Sequence, residues 1–210
     1  GMRVAAIVPA YNEEPRIASV LDVVRGSPLV DEIIVVDDGS DDDTAEVARA
    51  HGANVIRLGE NTGKGGAVAR GLEATLGDGI LFLDADLIGL TVDHVNALIE
   101  PVCSGEADMT IGIFGNGRTA TDLAQALTPW LSGQRAIKRS VLEGLELDIS
   151  RFGVEAVLTR HAKESGLKVV DVKLPRLTHV MKEEKMGTVK GMASRARMYW
   201  EVLKSIVDWD

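Results

Sequence analysis

Asp84-Ala85-Asp86 follows the apolar run Gly79-Ile80-Leu81-Phe82-Leu83, so two carboxylates stand where a buried strand leaves a sheet. Carboxylates at this spacing can share a hard divalent cation and, through it, a diphosphate. The triplet alone is more readily read as an ordinary turn, because Asp favours turns. Three further polar clusters follow apolar runs in the same way. Pro9-Ala10-Tyr11-Asn12-Glu13-Glu14 comes after Arg3–Pro9, and Asp37-Asp38-Gly39-Ser40 after Glu32–Val36. The third, Glu60–Gly66, contains Asn61-Thr62-Gly63-Lys64-Gly65-Gly66. Glycines there permit close backbone approach, and Lys64 offers a cation near a helix N-terminus, a combination suited to phosphate. A glycine-rich helix start without ligand is the alternative. Tyr11 could stack on a base or cover the sheet edge, and Glu13 could act on a ligand or complement the helix dipole. Asp37-Asp38 could accept from a base or ribose, or form a helix-start turn.

These clusters need elements to position them. Arg3–Pro9, Glu32–Val36, Asn54–Leu58, Ile80–Leu83 and Met109–Ile113 read as strands. Between them lie helical patterns: Ile17, Val20, Leu21 and Val24; Ser40 as an N-cap opening a helix through Ala50; Lys64–Leu76; and Val92–Val102. Alternating strands and helices with short connections predict a parallel sheet covered on both faces. Ligands of such sheets bind outside the carboxyl ends of the strands, which is where the four clusters fall. Further on, Leu131–Ile137 reads as a strand, followed by a short helix near Val141. Phe152–Ser165 reads as a helix, Leu167–Val172 as a strand, and Thr178–Gly187 as a polar loop. Met192, Ala196, Tyr199, Trp200, Leu203, Ile206 and Val207 make an apolar stripe on a terminal helix.

The 210 residues suit one domain, with 45% apolar and 26% charged residues. A net charge of −9 argues against a nucleic-acid partner. A single cysteine, Cys103, leaves neither an internal disulfide nor a cysteine metal cluster and suits a reducing compartment. No apolar run approaches the about 18–20 residues that span a bilayer. With no leader before the first strand, the expected location is cytoplasmic, with peripheral contact to a membrane left open. Gly1 before Met2 reads as an expression remnant. The loop after the first strand lacks the G-x-G-x-x-G of dinucleotide oxidoreductases. The 59–64 segment is not a Walker A loop, because no Ser or Thr follows Lys64.

Taken together and in order, Val8–Glu14, Val35–Ser40, Asn61-x-Gly63-Lys64-Gly65-Gly66-Ala67 and Asp84-Ala85-Asp86 resemble family 2 glycosyltransferases of the GT-A fold. The resemblance is closest to the polyprenyl-phosphate (dolichol-phosphate type) sugar transferases and extends to glucosyl-3-phosphoglycerate synthases. It implies a Rossmann-like three-layer α/β/α domain with a mostly parallel central sheet. It also implies a UDP- or GDP-sugar donor and a Mg2+ or Mn2+ ion. Pro9, Ala10, Tyr11, Glu13 and Asp38 would hold the nucleoside, with Lys64 near its base or ribose. Asp84, Ala85 and Asp86 would meet ribose, diphosphate and metal, Asp86 being the better direct ligand. Residues 2–115 would form the nucleotide-sugar half, 116–188 the acceptor side, and 189–210 the terminal helix.

Leu131-Ser132-Gly133-Gln134-Arg135-Ala136 resembles the acceptor segment of these enzymes. Ser132, Gly133 and Arg135 would then bind an acceptor phosphate, to which Arg is suited by its fork of donors. A surface salt bridge is the alternative for Arg135. Phe152-Gly153-Val154-Glu155 resembles a G-x-E segment whose carboxylate faces the donor sugar. Glu155 could bond a sugar hydroxyl or act as base, with Asp148 a second base candidate. The resemblance to the phosphoglycerate enzymes implies that His179, a histidine at a comparable place, completes the metal site; a solvated loop histidine is the alternative. His51, His94 and His161 fall on helices and read as surface residues.

No Glu-Asp pair occurs between residues 114 and 150, and Gln134-Arg135 is not the Q-x-x-R-W of processive synthases. The expectation is therefore transfer of a single sugar to a phosphate-bearing acceptor, such as a polyprenyl phosphate. A cytosolic synthase acting on 3-phosphoglycerate and a non-catalytic nucleotide-sugar-binding module are the alternatives. A nucleotidyltransferase would place Arg and Lys in a glycine-rich loop after the first strand, and Pro9–Glu14 does not. Lys190, Arg195, Arg197 and Lys204 beside the terminal stripe suit a membrane surface, and core packing or a homodimer contact is the favoured reading of the stripe.

Overall fold

Residues 1–114, 132–142 and 154–180 are described by the structure, a computed structural model. Asp148, Phe152, Gly153 and the 189–210 helix lie outside them. The first half alternates as its pattern predicts: β1 (Val4–Ala10), α1 (Glu14–Arg25), β2 (Glu32–Asp37), α2 (Thr44–Ala50), β3 (Asn54–Arg57), α3 (Lys64–Glu73) and β4 (Gly79–Phe82). There follow β5 (Leu87–Ile88), α4 (Val92–Cys103), β6 (Met109–Phe114), β7 (Arg135–Lys138), a 3-10 turn (Arg139–Leu142), α5 (Val154–Glu164), β8 (Val169–Leu174) and β9 (Thr178–His179).

Seven strands form one sheet in the order β3-β2-β1-β4-β7-β6-β8. Strand β1 is apolar on both sides, as expected of a central parallel strand. Val4, Ala6, Val8 and Ala10 pack in a cluster with α1 and α4, while Ala5 and Ile7 pack in another with Val68 of α3 and Leu158 of α5. This is the three-layer α/β/α arrangement. The sheet is not wholly parallel: β7 runs antiparallel to both β4 and β6. The first five apolar runs carry no sign of this, because β7 comes later in the chain and inserts between β4 and β6.

Three local expectations are corrected. Helix α2 begins at Thr44 and Ser40 does not cap it. The Ser40 hydroxyl instead accepts the Asn12 N–H at 2.9 Å, and the Ser40 N–H donates to Asp37 at 3.0 Å, which ties the first two rim loops together. Second, the 178–187 polar stretch opens with a strand, β9, paired antiparallel to β5 with His179 opposite Leu87. A two-residue pair has no periodicity by which a sequence could reveal it. Third, His94 is buried, not a surface residue. It closes a capping box with Thr91 at the start of α4, and its Nε2 lies 2.8 Å from the Pro175 carbonyl, just before β9.

Small residues let α3 lie close on the sheet. A Cβ at Gly71 would come 2.6 Å from Ile7 Cγ2. Gly71→Val should therefore force α3 off β1 and cost about 1–3 kcal/mol, read as a lower urea midpoint with unchanged slope.

Candidate functional site

The rim loops converge because they hydrogen-bond to one another. Asp38 is buried, and its carboxylate accepts from the Thr62 N–H (2.8 Å), the Thr62 hydroxyl (2.7 Å) and the Gly63 N–H (2.8 Å). Its own N–H donates to the Ala10 carbonyl. Asp38 thus joins the loops after β1, β2 and β3. Asp37 is fully buried, with Arg57 Nε 3.8 Å from its Oδ2. Glu13 is buried and meets Arg16 at 2.5 Å, and Tyr11 stands 46% exposed above the rim. Ala10 and Ala85 belong to the core cluster, so they can offer a ligand only their backbone.

Lys64 begins α3 directly after Gly63. Its ammonium donates to Asp84 Oδ1 at 2.8 Å and to the Glu155 carboxylate. It therefore joins the loop after β3 to Asp84 after β4 and to α5, in a pocket that Pro9 of the first rim loop also lines. Burial alone would push the Asp84 carboxyl up, but the Lys64 ammonium outweighs it and, with hydrogen bonds from Lys64 and Gln134, holds it at about 2. Burial would likewise discharge Lys64, yet Asp84 and Glu155 keep it above the usual lysine range. Lys64 and Asp84 thus hold each other in their charged forms.

Ser132–Arg135 closes this arrangement from the other side. A Cβ at Gly133 would lie 2.7 Å from Asp84 Oδ1 and 2.8 Å from Lys64 Nζ, so any larger residue would displace one of these charged ends. The buried Ser132 hydroxyl accepts the Gln134 N–H at 3.3 Å. Arg135 is not at the surface. Its side chain is buried, with Nε donating to the Ser132 carbonyl (2.8 Å) and a terminal nitrogen to the Thr159 hydroxyl (2.7 Å). Burial lowers its guanidinium to about 10, against the pull of Glu155 and Asp171. The strand expected over Leu131–Ile137 begins only at Arg135, because the residues before it turn over Asp84. Lys64, Asp84, Gly133, Arg135 and Glu155 line one pocket with Pro9 and Phe82.

Gln134 is the residue that sequence reasoning missed. Its amide accepts the Asp84 N–H at 3.0 Å and donates to Asp84 Oδ2 at 2.9 Å. Antiparallel pairing sets Phe82 opposite Arg135, which brings the residues preceding β7 against Asp84. That register is absent from the linear pattern.

His179 and Asp86 are brought together by the β5–β9 pair, where the Val180 N–H donates to the Asp86 carbonyl at 3.2 Å. The His179 ring lies against Phe114, with centroids 5.4 Å apart, and is near enough to help hold the Asp84 carboxyl down. Among the described residues, Asp84, Asp86 and His179 are not drawn into a ready three-ligand cluster. Asp84 is turned to Lys64 and Gln134 instead.

The profile of Glycosyl transferase family 2 matches residues 5–154. The chain belongs to this family. The glucosyl-3-phosphoglycerate synthase of Mycobacterium tuberculosis is 36% identical across 74% of this chain and 59% of that protein. The chain thus spans about three-fifths of the length of the curated synthases it matches. The crystal structure of that synthase with Mn2+, UDP and glucosyl-3-phosphoglycerate superposes with a TM-score of 0.81 at 31% identity, covering 99% of this chain and 80% of that one. The dolichyl-phosphate beta-glucosyltransferase of Drosophila melanogaster is 45% identical over 101 residues, 40% of this chain and 31% of that protein. Both types of enzyme named by the resemblance are therefore relatives of this family 2 chain, and likeness to the synthase covers more of it.

Asp84 titrates at about 2 in the fold against an ordinary 3.8, so its contribution to stability is complete above pH ~4 and is lost as pH falls toward 2. Lys64→Met removes the main cause of that depression. The acid limb of urea midpoint against pH should then be shallower for the variant than for the parent protein.

Proposed function

We propose that this chain is a metal-dependent glycosyltransferase that moves a single glucose-type sugar from a UDP-sugar to a small phosphate-bearing acceptor of the 3-phosphoglycerate kind. The observation that carries this reading is the Lys64–Asp84–Glu155 cluster at the strand ends, enclosed by Gly133 and the buried Arg135. The reading draws on the synthase relative, whose structure holds Mn2+, UDP and glucosyl-3-phosphoglycerate.

Each residue does a distinct job. Tyr11, with the loops pinned by Glu13 and Asp38, receives the nucleoside, and Pro9 and the backbone of Ala10 and Ala85 shape its floor. Asp84, Asp86 and Glu155 make a rim of carboxylates that would repel a diphosphate unless a cation intervened. Two carboxylates and an imidazole are a suitable donor set for Mn2+ or Mg2+. Because both oxygens of Asp84 are engaged by Lys64 and Gln134, Asp86 and His179 would hold the ion directly. When bound, the ion supplies Lewis acidity at the departing nucleotide diphosphate. Lys64 orients Asp84 and Glu155, and Glu155 then faces a sugar hydroxyl. Ser132 and Gly133 frame the acceptor's approach. Arg135, rather than reaching out to solvent, meets an acceptor oxyanion from the pocket floor. Asp148 stays a candidate base in this scheme.

A second reading, transfer to a polyprenyl phosphate, is favoured by the 45% identity to the dolichyl-phosphate enzyme over 101 residues. No helix among the described residues is long and apolar enough to cross a membrane. Contact with a membrane surface and a homodimer are parts of that second reading.

The test is UDP release from UDP-glucose with MnCl2, using 3-phosphoglycerate or detergent-solubilised polyprenyl phosphate as acceptor. Release with 3-phosphoglycerate, abolished by EDTA, is expected; release only with the lipid selects the second reading. Failure of every UDP- and GDP-sugar to release nucleotide overturns the proposal. Asp86→Ala should lower turnover by about 100-fold or more, as expected for loss of a main electrostatic stabiliser.

A further inference from the structure

Gln134 makes two hydrogen bonds to one residue. Its side-chain oxygen accepts the Asp84 N–H (3.0 Å) and its nitrogen donates to Asp84 Oδ2 (2.9 Å). Gln134 is 1% exposed. Its backbone is held from behind: the Gly112 N–H of β6 donates to the Gln134 carbonyl at 2.7 Å, and the Gln134 N–H donates to the Ser132 hydroxyl at 3.3 Å. A Cβ on Gly112 would come 3.0 Å from Gln134 Cβ, so β6 presses closely on this residue. The side chain therefore cannot follow Asp84 if Asp84 turns; Asp84 must stay with it. Because the amide accepts the Asp84 N–H at one end and donates to the carboxylate at the other, it ties the carboxylate's rotation to the Asp84 backbone. Oδ2 is taken by Gln134, and Oδ1 is presented to Lys64.

We propose that Gln134 is a positioning residue that fixes the rotation of the Asp84 carboxylate, so that Oδ1 and Lys64 face the nucleotide-sugar donor while the metal is left to Asp86 and His179. This rests on the donor site proposed above. It also gives the acceptor-side segment a part in donor binding, since the residue that aims Asp84 lies between Gly133 and Arg135. Gln, with one donor and one acceptor on a planar group, suits this place. Glu there would keep the acceptor for the Asp84 N–H but set a second carboxylate against Oδ2.

The test is a double-mutant cycle, read as the dissociation constant of UDP-glucose with saturating Mn2+ by calorimetry, well below each variant's ligand-free melting temperature. Gln134→Glu should weaken donor binding by about tenfold or more, the scale of losing one hydrogen bond to a charged group. Combining it with Asp84→Asn reverses donor and acceptor across the same contact. The introduced amide can then donate to the introduced carboxylate and still offer its oxygen to Lys64. The double variant should bind donor more tightly than either single variant. No gain over the weaker single variant overturns the proposal, as does wild-type donor affinity in Gln134→Glu. Variants that fail to fold singly and together overturn it in favour of a purely structural role. If the unaltered protein binds no UDP-sugar with Mn2+, the donor site itself falls, and this inference with it. Binding by the unaltered protein without coupling in the cycle removes only the role of Gln134.

Discussion

One ammonium shared by two carboxylates ties this molecule together. Lys64 opens α3, Asp84 follows β4, and Glu155 lies in the first turn of α5. Three elements from distant parts of the chain thus end at the same charge. A partly buried lysine with one acid would be a modest ion pair, and two acids without the lysine would repel. The triad works because each member needs the others. Glu155 is 91 residues from Lys64, so its place depends on the whole fold being complete. The pocket then forms as a consequence of folding and needs no separate closure of these three groups.

Around that triad, polar groups are spent on one another before any ligand arrives. Asp38 has three donors from Thr62 and Gly63, Ser40 serves Asn12, and Gln134 serves Asp84 twice. Buried polar atoms are costly unless bonded, so such a network defines one arrangement of the loops. This is preorganisation: donors and charges are aimed by neighbours and not by the substrate. Glycine is used where a side chain would break that aim. Gly133 brings backbone against Asp84 and Lys64, and Gly39, at φ +79, has only 2.7 Å between its would-be Cβ and the backbone of Glu60.

Much of this was legible in the linear chain. The four polar clusters read as strand-end loops are strand-end loops, and Lys64, Gly133, Asp84 and Glu155, singled out separately, line one pocket. The signals were strong because central parallel strands are apolar on both faces, so the polar residues that end them stand out. What stayed hidden depended on pairing across long separations. The reversed β7, the β5–β9 pair that carries His179, and the inward course of Arg135 are set by register. Ser40 resembled a helix cap by type and spacing, but a neighbouring loop claimed its hydroxyl. His94 resembled a surface residue and caps α4 from a buried place.

The sequence by itself determined the order of strands and helices in the first half and which residue types gather at the strand ends, because period, apolar runs and glycine placement are local properties. It also carried enough ordered motif to reveal the family. Tertiary structure alone decided which groups meet. Lys64 was joined to Asp84 and Glu155, Arg135 was buried against Thr159, and Gln134 took hold of Asp84. Those choices follow from electrostatics and hydrogen-bond satisfaction among residues 20 to 91 positions apart, which no local pattern encodes.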